Sequence, residues 1–201
     1  MARTGGVRGT YAKTEQFRLD VLDAALRVLS AHGFDATTLQ RIADEVGRSK
    51  AGLLHHFGSR DGLLLAIVRH RDAVDRRSFP PGGPGDFEAS IAIVAHNATV
   101  PGLVSLFAVT AALAASDASE TDRRAFFVRR YAGTRAALAR RIAQAQEAGL
   151  MRDDITAEAA AALILATMDG LQTQWLLDPA IDMAEHLRAL IALLRPVPRE
   201  G

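Results

Sequence analysis

The chain has 201 residues, no cysteine, 5% aromatic residues and 24 Lys/Arg against 23 Asp/Glu, a formal net charge of +1. That length allows one large or two small domains with a real core. The missing cysteine excludes disulfides and thiol chemistry, and no run of 18 uninterrupted apolar residues exists to span a membrane.

Alanine and leucine dominate and β-branched runs are rare, so an all-α chain of about nine helices is expected. Residues 1–77 hold 13 Lys/Arg against 9 Asp/Glu, and residues 78–201 hold 11 against 14. A basic N-terminal part on an acidic body fits a DNA-reading head on a sensing body. The opening Met-Ala-Arg-Thr-Gly-Gly has no apolar signal region, so a cytoplasmic location is expected.

Residues 1–13, with Arg3, Arg8, Lys13 and three glycines, read as a flexible basic arm. A first helix over 14–32 follows, with Phe17, Val21, Ala25 and Val28 on one face, ending at Gly33. Residues 37–57 then read as a helix-turn-helix. Thr37 and Gln40 have the spacing of a capping box. Leu39, Ile42, Ala43 and Val46 form one apolar face, and Gly47 sits where the chain must turn with positive φ. Ser49 is placed to cap the second helix, whose Leu53 and Phe57 point back to the core. That leaves Lys50, Ala51, Gly52, Leu54, His55 and His56 outside, on a helix able to enter a major groove about 12 Å wide. A fourth helix, 59–77, is capped by Ser59, and its charged end from Arg69 to Arg77 reads as a solvated face.

Pro80-Pro81-Gly82-Gly83-Pro84-Gly85 breaks the chain, giving a head over 14–77, a linker over 78–85, a body over 86–195 and a tail over 196–201. In the body, helices are expected over 86–100, 101–117, 119–148, 155–177 and 182–194. The one starting near Leu103 is apolar nearly all round, which makes it central. Ile164, Met168, Leu171 and Trp175 repeat at 4, 3 and 4, as do Met183, Leu187, Leu190 and Leu194. Polar residues inside the apolar helices are ligand candidates, because a pocket is mostly apolar with a few placed polar groups. The candidate set is His96, Asn97, Phe107, Thr110, Phe127, Tyr131, Thr167, Met168 and Gln172, with an apolar or aromatic small molecule as occupant.

No enzyme is expected. The six histidines show no metal spacing, and neither a Gly-x-Ser-x-Gly elbow, a phosphate loop nor a dinucleotide glycine set is present. No cofactor is implied.

The order Gly33-Phe34, Thr37-Thr38-x-x-x-Ile42-Ala43, Gly47-x-Ser49 and His55-His56-Phe57-x-Ser59-Arg60-Asp61-x-Leu63-Leu64 resembles the N-terminal domain of the TetR (tetracycline-repressor-like) family. The resemblance is specific over about residues 14–75. The body matches in helical layout and in Asp169-Gly170-Leu171-Gln172 with Gln174-Trp175-Leu176-Leu177-Asp178-Pro179. The chain departs from the family pattern at Arg48, Gly52, Leu54 and Arg60. The resemblance implies a homodimeric, ligand-responsive repressor on a near-palindromic operator. The DNA-binding set is Thr37, Thr38, Arg41, Arg48, Ser49, Lys50, Ala51, Gly52, His55, His56, Ser59 and Arg60. The last two helices pair with their copies, giving an interface of Ile164, Leu171, Trp175, Leu187, Leu190 and Leu194. An activator, a ligand-independent regulator, or a module governed by a protein partner are the alternatives on the same fold.

Overall fold

A computed structural model describes residues 6–116 and 121–196, with side chains from Thr14 on; among them are nine helices and no strand. Helix α1 (Gly6–Ala36) is broken at Gly33, where φ is 78° and ψ is 175°. It is followed by α2 (Leu39–Glu45), α3 (Lys50–Phe57) and α4 (Arg60–Ser78). The body is α5 (Glu88–Thr99), α6 (Leu103–Ser116), α7 (Asp122–Glu147), α8 (Ala157–Leu177) and α9 (Met183–Leu193). Residues 6–13, read from the sequence as an arm, continue α1 upstream. Gly9 alone, at about 1 kcal/mol relative to alanine, does not stop a helix with no proline in it. Arg3, Ser119 and residues 197–201 lie outside the described residues.

Side-chain caps set most helix starts. Thr38, Ser49, Ser59, Thr121, Thr156 and Asp182 each accept a hydrogen bond from the backbone N–H three residues on. The cap of α2 is therefore Thr38, one residue later than the spacing suggests. Thr37 is fully buried, and its hydroxyl donates to the Gly33 carbonyl at 2.7 Å. Gln40 does not reach back to the cap but donates to Asp44 one turn on. Gly47 does take positive φ, 63°.

The head is built on α1, whose Val21, Ala25 and Val28 meet Ile42 and Ala43 of α2, Leu53 of α3 and Leu64 and Val68 of α4. Its core does not stop at the 78–85 break. The same apolar cluster takes in Leu103, Leu106 and Phe107 of α6 and Phe127 of α7. A second cluster joins α5, α7, α8 and α9 through Ile91, Ile142, Ile164 and Leu187. Helix α6 is central as expected, packing on α1, α4, α5, α7 and α8. Gly102, the residue before α6, lies close against α1. A methyl group there would lie 3.1 Å from Ser30 N and 3.3 Å from the Leu26 carbonyl oxygen of α1, and φ is 76°. Only glycine fits both the conformation and the approach.

Candidate functional site

The outward face of α3 is available. Lys50, Ala51, Leu54, His55 and His56 are exposed and Gly52 is half-buried. Leu53 alone of this helix is fully buried and anchors it. His56 is partly engaged, its ring 4.8 Å from that of Phe17 on α1, and His55 lies 5.5 Å from His56 in an edge-on arrangement. The two rings thus form one continuous surface on α3. Thr38, Arg41, Arg48 and Ser59 surround it and are exposed. Arg48 reaches back over the Phe17 ring at 5.7 Å. The capping hydroxyls of Thr38, Ser49 and Ser59 accept bonds from their own helices, which leaves each O–H free to donate to a phosphate.

Two residues of the expected DNA set are occupied elsewhere. Thr37 is buried, as above, and has no surface to offer. Arg60 donates through Nε to the Thr37 carbonyl at 2.6 Å and through Nη2 to the Phe34 carbonyl, with its guanidinium 4.5 Å above the Phe34 ring. It closes the end of α1 against the start of α4 by giving these two carbonyls a side-chain donor, the Phe34 carbonyl also accepting from the Thr37 N–H at 3.1 Å. Leu54, 38% exposed, is the large apolar residue on the outward face of α3, where the sequence places it.

The charged end of α4 is a solvated face only in part: Arg69, Arg76 and Arg77 are exposed. Arg71, Asp72 and Asp75 turn inward. Arg71 Nε lies 3.4 Å from Asp75, both side chains being 9% exposed. Asn97 of α5 donates to Asp75 at 3.4 Å. Arg130 of α7 grips Asp72 with Nε and Nη2 at 2.8 and 2.9 Å. Both guanidiniums stack on Phe107, at 5.1 Å for Arg71 and 4.7 Å for Arg130. Tyr131 donates to Asp169 of α8 at 2.6 Å, and Phe127 stands 5.7 Å from Phe107 and 6.2 Å from Tyr131. Buried atoms without a hydrogen-bond partner include Arg71 Nε and Nη1, Asn97 Oδ1 and Gln172 Oε1.

The electrostatics follow from burial. Burial pushes the Asp75 carboxyl up, against Arg71 and Asn97. Burial likewise raises Asp169, against the Tyr131 hydrogen bond and Arg130. Burial lowers Arg71, with Asp75 opposing. Burial also works against Arg130, but the bidentate bond and charge of Asp72 outweigh it and raise its pKa. Tyr131 is raised by burial and by its bond to Asp169. A carboxyl held up in the folded state contributes stability below the unfolded value, about 4, and loses it as pH rises through the folded value. We therefore expect wild-type stability, relative to Asp169→Asn, to fall as pH rises from about 4. Urea unfolding of both proteins across that range checks this, and a difference that stays constant or grows contradicts it.

Of the expected ligand residues, Asn97, Phe107, Phe127 and Tyr131 belong to or border this cluster, and Gln172 is buried on α8. Thr110 is buried but bonds its own helix at Leu106 O, 2.6 Å away, so its hydroxyl is already used. His96 is exposed and stacks on Phe79 at 5.4 Å, away from the cluster. Thr167 is half-buried, and Met168 packs against the second core. Arg71, Asp72, Asp75 and Arg130 were missed. Their signal was present, since Arg71 and Asp75 continue the 4, 3, 4 spacing of Leu64 and Val68 on the buried face of α4.

The expected dimer stripe also needs correction. Ile164, Leu171, Leu187 and Leu194 are 0–5% exposed, and Trp175 and Leu190 pack against the same core. They hold α8 and α9 to α5 and α7 within one chain. The free stripe of α8 is its neighbour: Ala159, Leu163, Ala166, Gly170, Thr173 and Leu177, all exposed and spaced 4, 3, 4, 3 and 4. Leu163 is 54%, Leu177 84% and Leu193 of α9 71% exposed, with Ala189 beside Leu193. A methyl group added at Gly170 meets nothing within 4 Å.

Comparison with known proteins agrees with this geometry. Residues 21–67 match "Bacterial regulatory proteins, tetR family", and residues 87–195 match "BetI-type transcriptional repressor, C-terminal". The chain belongs to the TetR family. It is thus a ligand-responsive, DNA-binding transcriptional regulator of the repressor type. A TetR-family member from Mycobacterium tuberculosis, the HTH-type transcriptional repressor Rv1474c, is 24% identical over 77% of this chain and 79% of that protein. The HTH-type transcriptional repressor AcnR of Corynebacterium glutamicum is 33% identical over 28% of this chain, which spans 30% of the relative. Among solved structures, a TetR-family regulator from a Rhodococcus species matches with TM-score 0.73 at 24% identity, over 88% of this chain and 97% of that one. A transcriptional regulator from Saccharomonospora viridis in complex with choline matches with TM-score 0.70 at 23% identity, over 89% and 96%. Both structural likenesses show the fold. Among the described residues, no single helix is long and apolar enough to cross a membrane, and no group of three acidic or histidine side chains is placed to hold a metal.

Proposed function

We propose that this TetR-family chain is a cytoplasmic homodimer that represses by holding a near-palindromic operator and releases it when a small molecule enters the body. The observation that carries this reading is helix α4. Its first half supplies Leu63, Leu64 and Ile67 to the head core, and its second half carries Arg71, Asp72 and Asp75 into the body cluster. A further bond, Arg123 of α7 to Asp61 at 2.7 Å, ties the head end of α4 to the same body helix. A molecule that rearranges the cluster thus acts on the helix that positions α3. It shifts the equilibrium only by its differential affinity for the two arrangements, typically about 1–3 kcal/mol.

On DNA, Lys50, His55 and His56 face base edges and phosphates. Leu54 suits a thymine methyl, and Arg41, Arg48 and the capping hydroxyls hold the backbone. Dimerisation runs through the exposed stripes of α8 and α9.

The effector fits a small organic cation with a hydrogen-bonding group better than the wholly apolar or aromatic molecule expected from sequence. Three carboxylates, Asp72, Asp75 and Asp169, face only two guanidiniums inside aromatic walls. The unpaired atoms of Arg71 and Asn97 offer it hydrogen-bond partners. A fold neighbour is a complex with choline.

The test separates two basic residues. Lys50→Ala is expected to weaken operator binding and reduce its salt slope by about 2 for a dimer, one phosphate per head. Arg60→Ala is expected to leave that slope unchanged and lower the melting temperature, because Arg60 is spent on carbonyls. A salt slope that follows Arg60 and ignores Lys50 contradicts this docking.

A further inference from the structure

The acidic body carries one strongly basic hollow. A cleft of about 410 Å³ opens between α4 and α7, and four arginines line it: Arg69 and Arg76 from α4, Arg129 and Arg130 from α7. The spacing explains the gathering. Residues 69, 72 and 76 share one face of α4, and 126, 129 and 130 share the facing side of α7. Asp72 is the one carboxylate on these walls, and both of its oxygens are held by Arg130. Arg69 lies over the Phe126 ring at 4.9 Å. Arg76 and Arg129 are exposed, and neither has an ion-pair partner among the described residues. A concave wall of one charge sign focuses the field and concentrates counter-ions. Guanidinium forks match phosphate and carboxylate oxygens two at a time.

We propose that this cleft is a binding site for a small organic polyanion, a phosphate ester or polycarboxylate, separate from the interior cation site. The anion bridges Arg76 and Arg129, takes a hydrogen bond from Thr134 at the cleft wall, and lays its carbon skeleton on Phe126. Arg130 is shared between this wall and the Asp72 clamp, so an anion here acts on the helix that carries the head. It borders the effector cluster above through Asp72 and Arg130, but its charge preference is the opposite one, and the Arg76 and Arg129 that define it take no part in that cluster.

The test is titration calorimetry of the full chain with pyrophosphate and, separately, citrate, at ionic strength held constant with sodium chloride. One saturable site per chain for either probe is expected, and the double variant Arg76→Gln, Arg129→Gln is expected to weaken it at least about 10-fold. Tighter binding of pyrophosphate assigns the site to phosphate esters, and tighter binding of citrate to polycarboxylates. Heat that never saturates, equal affinity in the double variant, or no binding of either probe overturns the proposal. So does a loss of operator affinity by the double variant with no anion present, which would make the arginines a DNA-backbone patch.

Discussion

Replacing Asp75 by alanine is expected to lower the unfolding free energy by about 3–5 kcal/mol, the usual consequence of leaving one member of a buried ion pair alone. The melting temperature should fall by about 10 °C for a chain of this size. Asp75 and Arg71 are both 9% exposed, and Arg71 already has two buried nitrogens without a hydrogen-bond partner. Removing the carboxylate takes away the ion-pair partner of that buried guanidinium, leaving only the more weakly acting Asp72 and Asp169, and frees the amide of Asn97 as well. The cost belongs to the unpaired charge and not to the loss of attraction, so a second variant separates the two. Arg71→Met with Asp75→Leu replaces both charges with apolar groups of similar bulk and should recover most of the loss. Urea unfolding of the three proteins checks both statements. A loss below about 1 kcal/mol for Asp75→Ala would place the pair in the range of solvated surface pairs. The cluster would then be too weak to couple α4 to the body.

Introducing glutamate at Leu163 and Leu193 is expected to separate the dimer and to weaken operator binding by roughly 100-fold or more, since each freed head reads only one half-site. Leu163 and Leu193 are 54% and 71% exposed in the single chain, so the substitutions do not disturb its own core. They place charge on the exposed stripe proposed for the partner helix, beside the small residues Ala166 and Gly170. Glutamate at Ile164 and Leu187, both within 1% of full burial, should instead prevent folding. Sedimentation of the Leu163→Glu, Leu193→Glu protein distinguishes the faces. A protein that remains dimeric shows that the partner sits elsewhere.

The head was legible in the sequence because its signals are local. Gly47, the apolar repeat from Leu39 to Val46 and the Ser49 cap each specify their own few residues, and all keep their expected places. The error at Thr37 came from two adjacent threonines of equal capping ability. Tertiary context chose between them, because the Gly33 carbonyl takes the Thr37 hydroxyl. Arg60 was read as a phosphate contact for a related reason: it is a basic residue beside a recognition helix, and its bonds to the Phe34 and Thr37 carbonyls depend on tertiary contacts that no local pattern carries.

The body was legible in outline and not in its faces. Leu163 and Ile164 are neighbours in an Ala- and Leu-rich helix, so α8 has two apolar stripes at helical spacing. Periodicity identifies both but does not say which of them the chain covers itself. The buried charges of α4 were hidden by their own chemistry. Arg and Asp are rarely inside unless paired; Arg71 and Asp75 pair within α4, but Asn97 and Arg130, which hold Asp75 and Asp72, lie on α5 and α7, far along the chain. Only the register of Arg71 and Asp75 with Leu64 and Val68 carried the signal.

Selection of bound sequences from random duplex DNA by the full-length protein, at one fixed salt concentration, tests the regulator reading most directly. An enriched inverted repeat with half-site centres roughly 34–36 Å apart, or a multiple of that, is the expected result. Binding that enriches no sequence and weakens only with salt would contradict it, because α3 would then hold phosphates without reading bases.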